Sequence, residues 1–233
     1  MELETLKLLA HAMSTDKTRE CLMGIYIDHE KERFVATDGH RLVYTVGIPM
    51  THRMAEINDL NFIPMESVKA MLKHKEFSTA VDTLSKNENF PLYELVLPQE
   101  CTLVEALNFN SGVNLQYFIQ DLKRIKGMTD NMSKGIVLEF IPDKPLTLRH
   151  ETSTSVASIN TQIEHNLDKV YQIMLNPQYL LDALRPHKST YYAVHFSVQL
   201  EYNVGPLVID TCATKEVIMP MRLDLHRYEV KGK

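Results

Sequence analysis

Apolar positions recur at helical spacing in four segments of the chain. Leu3, Leu6, Leu9, Ala10 and Met13 fall on one face of the first, opposite Glu4, Lys7 and His11. Met65, Val68, Met71 and Leu72 form the second stripe, behind Pro64, where a missing N–H costs little. Leu115, Phe118, Ile119, Leu122 and Ile125 form the third, with Asn114 as the expected N-cap and Gly127 as the expected stop. Tyr179, Leu180, Ala183 and Leu184 form the fourth, between Asn176-Pro177 and Pro186, with Asp182 and Arg185 facing away.

Strand-like runs lie between the helices. They are expected over Leu22–Asp28, Arg33–Thr37, Arg41–Val46, Phe77–Leu84, Tyr93–Leu97 and Thr102–Leu107. A second group covers Gly135–Ile141, Leu146–Glu151, Ser155–Ile163, Lys169–Met174, Tyr191–Leu200, Leu207–Thr211 and Glu216–Met221. The helix starts at 3 and 65, and at 115 and 177, are both about 60 residues apart, and the two pairs are offset by about 110. A unit of one helix plus several strands therefore occurs four times, paired into two domains. The expected boundary is Pro98-Gln99-Glu100, giving domains over 1–98 and 99–223 and a tail over 224–233.

Composition narrows the class. The 233 residues are 44% hydrophobic and 24% charged, ordinary for a globular protein. The net charge is −5, yet the segments 2–19, 65–75, 115–126 and 177–188 total +5, which leaves −10 elsewhere. Basic helices on an acidic chain suit a nucleic-acid protein with its cations on one surface, and equally suit ordinary solvated helix ends. Cys21, Cys101 and Cys212 are odd in number and widely spaced, so they are expected to be reduced, mostly buried thiols. No secretory signal or membrane span is expected, and the location is expected to be cytoplasmic.

Enzyme signatures such as GxSxG, a P-loop, GxGxxG and HExxH are absent from the sequence. No cofactor is expected. Asp38 and His40 flank Gly39 in Phe34-Val-Ala-Thr-Asp-Gly-His-Arg-Leu42, but no third metal ligand sits at a recognisable spacing. This segment reads as a strand, a tight Asp-Gly turn and a second strand. Asn89-Phe-Pro-Leu-Tyr-Glu-Leu-Val-Leu-Pro98 reads as a strand between prolines. Val217-Ile-Met-Pro-Met-Arg-Leu223 reads as an edge or strand end, because Pro220 cannot donate to a ladder, with methionines that adapt to varied ligands.

Val35–Leu42, Phe90–Pro98 and Ile218–Leu223, in that order, resemble three motifs of the bacterial DNA sliding clamp family, the beta subunit of DNA polymerase III. Glu4-Thr-Leu-Lys, Leu22-Met-Gly24 and Asn176–Leu184 are similar to further parts of its second and third domains. The resemblance covers about residues 3–223. It implies an α+β fold of two tandem clamp domains, each with two helices packed on antiparallel sheets. It implies a non-catalytic processivity factor that encircles duplex DNA without reading sequence and tethers DNA polymerase and clamp loader by short linear motifs. Six domains make the family's ring, so two domains imply a homotrimer of phage-like type; a clamp-fold protein that binds replication proteins or a host clamp without encircling DNA is the alternative.

The family's peptide groove maps onto Leu22, Thr37, Gly39, His40, Arg41, Leu42, Pro91 and Val96, and onto Asn176, Tyr179, Val217, Met219, Pro220, Met221 and Arg222. Lys7, Lys73, Lys123, Arg124 and Arg185 lie on the polar sides of the helices and are the expected DNA-facing cations. The family places an edge strand before the first helix, which is not seen here.

Overall fold

A computed structural model describes residues 3–47, 60–75, 83–109, 112–129, 134–152, 154–184, 193–200, 205–211 and 213–222. The expected strand over Phe77–Leu84 falls mainly outside these residues, as do Cys212, Arg185, Pro186, Leu223 and the 224–233 tail. The chain divides into two compact units. One joins Met1–Leu97 to Val208–Val217, and the other joins Pro98–Leu207 to Ile218–Lys233.

In the first unit, α1 (Leu3–Ala12) precedes a meander of β1 (Gly24–Asp28), β2 (Arg33–Thr37) and β3 (Arg41–Thr45). A short β4 (Phe62–Pro64) then leads directly into α2 (Met65–His74). The sheet order is β4-β1-β2-β3, extended beyond β3 by β12 (Thr214–Ile218) and β11 (Leu207–Asp210). Tyr26 opposes Val35 and Val35 opposes Tyr44, so one register runs through the meander. Both helices cover one face, where Leu6, Leu9, Ile25, Ile27, Phe34, Val43, Ile63, Val68 and Met71 form a dry core. Burying an aliphatic or aromatic side chain of this kind contributes roughly 1.5–3 kcal/mol. Gly24 is required where β1 meets β4, since a Cβ there would lie 2.3 Å from the Ile63 carbonyl oxygen.

The second unit opens with β5 (Val104–Phe109) and α3 (Gly112–Lys126). Four antiparallel strands follow: β6 (Ile136–Phe140), β7 (Thr147–Glu151), β8 (Val156–Asn160) and β9 (Tyr171–Leu175). They are ordered β8-β7-β6-β9. Helix α4 (Pro177–Leu184) packs on α3, and β10 (Val194–Val198) pairs with β5. Phe118 sits at the centre of this core. It stacks on Phe109 at 5.2 Å between ring centroids and meets Phe196 edge-on at 5.8 Å.

The α+β architecture of helices on antiparallel sheets agrees with the expectation, and all four helices lie where the apolar stripes put them. Several details differ. Helix α3 begins at Gly112, so Asn114 lies inside its first turn and is not the N-cap. Asp182 is buried rather than outward, because its carboxylate accepts a 2.6 Å hydrogen bond from Gln178 Nε2 one turn earlier. Leu22 belongs to a short 3₁₀ turn before β1. Tyr93–Val96 is a 3₁₀ turn, not a strand. Cys21 is half-buried and Cys101 exposed, so neither described thiol is a core residue.

Candidate functional site

The Asp-Gly turn is built by side chains that satisfy its own backbone. Asp38 Oδ1 accepts from the N–H groups of His40 at 2.9 Å and Arg41 at 3.1 Å. Its other oxygen accepts from Arg41 Nε at 3.2 Å. Thr37 Oγ1 donates to the Arg41 carbonyl at 2.7 Å and accepts from the Gly39 N–H at 3.1 Å. Gly39 adopts φ of 90°, a region a side chain rarely enters. Two longer ties fix the turn to the helix layer. Arg19 Nη1 donates to the Asp38 carbonyl at 3.1 Å, and Arg41 Nη2 donates to the His11 carbonyl at the end of α1.

This wiring accounts for Asp38 without catalysis. Its carboxylate is committed to the turn and to a guanidinium that is only 8% exposed. Among the described residues no three His, Cys, Asp or Glu side chains gather as metal ligands. Within this unit Leu22, Thr37, Arg41 and Leu42 are buried, while Gly39 and His40 lie at the surface. The buried members hold the turn in shape, and the exposed pair presents it. Arg19 was not legible as a partner of Asp38, because nothing in a spacing of 19 residues signals the contact.

Pro91 and Val96 both lie exposed on the Phe90–Leu97 segment. Phe90 stacks on Tyr26 at 4.5 Å with rings 7° from parallel. Tyr93 is buried and its hydroxyl donates to Asp28 Oδ2 at 2.6 Å. Burial, reinforced by this carboxylate, pushes the Tyr93 phenol well above its ordinary pKa. The segment expected as a strand between prolines is instead a 3₁₀ turn anchored by these two aromatics, three residues apart.

Val217 is buried at the end of β12. In the second unit the chain leaves β12 through Met219 and Met221, which are 39% and 38% exposed. The Met221 N–H donates to the Met174 carbonyl at 2.8 Å, which fixes the backbone while both thioethers stay adaptable. Pro220 is half-buried and Arg222 exposed. Asn176 caps α4, its Oδ1 accepting from the Gln178 N–H at 2.9 Å. Tyr179 is half-buried on the same first turn, with its N–H on the Asn176 carbonyl at 3.1 Å.

The helical cations are accessible. Lys73 and Lys123 are exposed and have no ion-pair partner among the described residues. Lys7 pairs with Glu4 at 3.0 Å and Arg124 with Asp121 at 3.3 Å. Pairs of this kind at the surface are worth about 0–1 kcal/mol.

No family model and no curated protein matches this chain. Solved structures do. A sliding clamp (DNA polymerase III subunit beta) from Bartonella birtlesii, bound to griselimycin, matches with a TM-score of 0.71 and 23% identity over 95% of this chain and 63% of its own. The Caulobacter crescentus beta sliding clamp matches with a TM-score of 0.74 and 21% identity, covering 96% and 64%. A DNA polymerase sliding clamp from Pseudomonas aeruginosa gives 0.71, 21%, 96% and 65%. The chain thus has the fold of the bacterial sliding clamp, and it spans a little under two thirds of the length of these clamps.

Proposed function

We propose that this chain is a sliding clamp: a non-catalytic accessory protein that encircles duplex DNA and tethers a DNA polymerase and its loader by short peptide motifs. One observation carries the reading. This chain matches bacterial sliding clamps over 95% and 96% of its length, with TM-scores of 0.71 and 0.74.

The chemistry fits the task. Lys73, Lys123 and the loosely paired Lys7 and Arg124 attract phosphates without reading bases, and Arg185 joins them by sequence. Contacts of that kind exchange readily, so the protein slides while acidic groups elsewhere limit adhesion to the outer surface. The residues proposed to take partner peptides are, in the first unit, the accessible Gly39, His40, Pro91 and Val96 and the buried Leu22, Thr37, Arg41, Leu42 and Val217, and, in the second unit, Asn176, Tyr179, Met219, Pro220, Met221 and Arg222. Six clamp domains per ring correspond to three copies of these 233 residues, closed head to tail.

Two measurements test this reading together. Sedimentation velocity should give a species three times the chain mass, and the protein should stay on nicked circular DNA but leave after linearisation. A stable monomer at micromolar concentration with no difference between circular and linear DNA would overturn it. It would favour a clamp-fold protein that binds replication proteins without encircling DNA.

A further inference from the structure

Helix α3 turns Leu115, Phe118, Ile119, Leu122 and Ile125 inward. At 3.6 residues per turn, the direction opposite that stripe is held by Val113, Tyr117, Gln120 and Arg124, spaced by four, three and four. All four are exposed, Tyr117 at 51% and Val113 at 59%. Packing therefore makes no demand for an aromatic ring at 117, where a glutamine like its neighbours at 116 and 120 would serve the helix at least as well. An exposed tyrosine by itself is ordinary; the groups around this one point to a ligand.

Charge on the helix selects a polyanion. Helix α3 carries Lys123, Arg124 and Lys126 against Asp121 alone, and Asp121 pairs with Arg124 at 3.3 Å. Lys126 donates to Gln178 Oε1 on α4. Lys123 and Arg124 lie six and seven residues beyond Tyr117, about 10 Å along the axis at 1.5 Å per residue. A flat ring with cations beyond it is the combination that single-stranded nucleic acid meets on its binding proteins: bases stack on the ring and phosphates follow the cations.

We propose that Tyr117 is a stacking platform for an unpaired base, so that α3 grips single-stranded DNA and lets duplex pass. In a duplex both faces of each base are covered by neighbouring bases, and the ring meets only sugar and phosphate. Where a single strand begins, a base lies on the ring, and Lys123 and Arg124 hold the phosphates that follow. Every base has a π-face, so the contact is indifferent to sequence. It deepens the clamp reading proposed above and rests on it, because that reading turns α3 toward DNA.

The chain has no tryptophan, so Tyr117→Trp places a single reporter on this face of the full-length protein. The probes are a 20-nucleotide poly-dT strand and a blunt 20-base-pair duplex, fluorescein-labelled for anisotropy and unlabelled for tryptophan emission. Poly-dT should quench the Tyr117→Trp emission, and the duplex should not. Tyr117→Ala should bind poly-dT roughly tenfold more weakly than wild type, the loss expected for one stacked base, while Tyr117→Phe binds it as wild type does. Each variant should bind the duplex with wild-type affinity, and circular dichroism confirms that each is folded. Equal binding of poly-dT by wild type and Tyr117→Ala, or equal quenching by both probes, overturns the proposal; the clamp reading still stands if the protein stays on nicked circular DNA. Free release from circular DNA with the tenfold loss intact overturns the clamp reading instead and leaves the stacking contact. A wild-type trimer that Tyr117→Ala dissociates also overturns the proposal, because the face then lies between copies of this chain.

Discussion

Tyr93 shows how one residue links packing to a measurable property. Its ring is buried in the first unit and its hydroxyl donates to the Asp28 carboxylate. Burial and that partner both oppose ionisation, so its folded pKa stands above the value near 10 of an exposed phenol. A raised folded pKa contributes stability that is fully present below the unfolded pKa and is lost as pH climbs past it. Tyr93→Phe should therefore lower stability at neutral pH by about 1.5–3 kcal/mol, the usual contribution of a hydrogen bond to a charged group. Between pH 9 and 11.5 the wild type should lose up to about 1.4 kcal/mol per pH unit above 10 more than Tyr93→Phe, which keeps the raised phenols of Tyr26 and Tyr171. Urea unfolding across that range measures the gap; a constant gap would show that the phenol ionises normally.

At the scale of elements, the sequence is most legible where burial follows a single period. The stripe of Leu115, Phe118, Ile119, Leu122 and Ile125 leaves no choice but a helix, and all five are buried. The Asn176-Pro177 start was equally plain, because cap chemistry is local: the Asn176 side chain meets the Gln178 N–H two residues on. Asn176→Ala should lower the melting stability by about 1 kcal/mol and Asn176→Asp should largely restore it, as read by thermal denaturation. Strand assignment failed where aromatics faced inward for reasons other than a ladder. The flanking Pro91 and Pro98 suggest a strand, but Phe90 and Tyr93, three residues apart, anchor on Tyr26 and Asp28 more than sixty residues earlier, out of reach of any local pattern. The three-residue β4 was missed for a related reason. It is an edge defined by its fit against Gly24, and three residues are too few to show a period. The candidate site divides the same way. The Asp38 turn was visible as Asp-Gly between strands, whereas its anchoring by Arg19 and His11 is purely tertiary.

At the scale of the whole molecule, the chain forms two compact units that each take in a later stretch of sequence, Val208–Val217 in one and Ile218–Lys233 in the other, an exchange that no helix spacing signals. The charge split also has meaning only here. A chain at −5 with +5 on its helical segments holds DNA only if those cations act together. Each phosphate contact releases a condensed counterion, so affinity falls with salt at a slope of about 0.9 per contact for duplex DNA. Among the described residues, Lys73 and Lys123 are the exposed lysines of α2 and α3 without ion-pair partners, so they should hold phosphates with no described carboxylate to displace. Lys73→Glu/Lys123→Glu should flatten the log affinity against log salt line for a 30-base-pair duplex by about 2 per chain. It should act equally on any base sequence, since phosphate contacts carry no sequence information. Fluorescence anisotropy from 50 to 200 mM salt supplies the slope. A slope equal to wild type would place these lysines away from DNA, whereas a flatter slope that depends on base sequence would mean that the helices read bases, which a sliding protein must avoid.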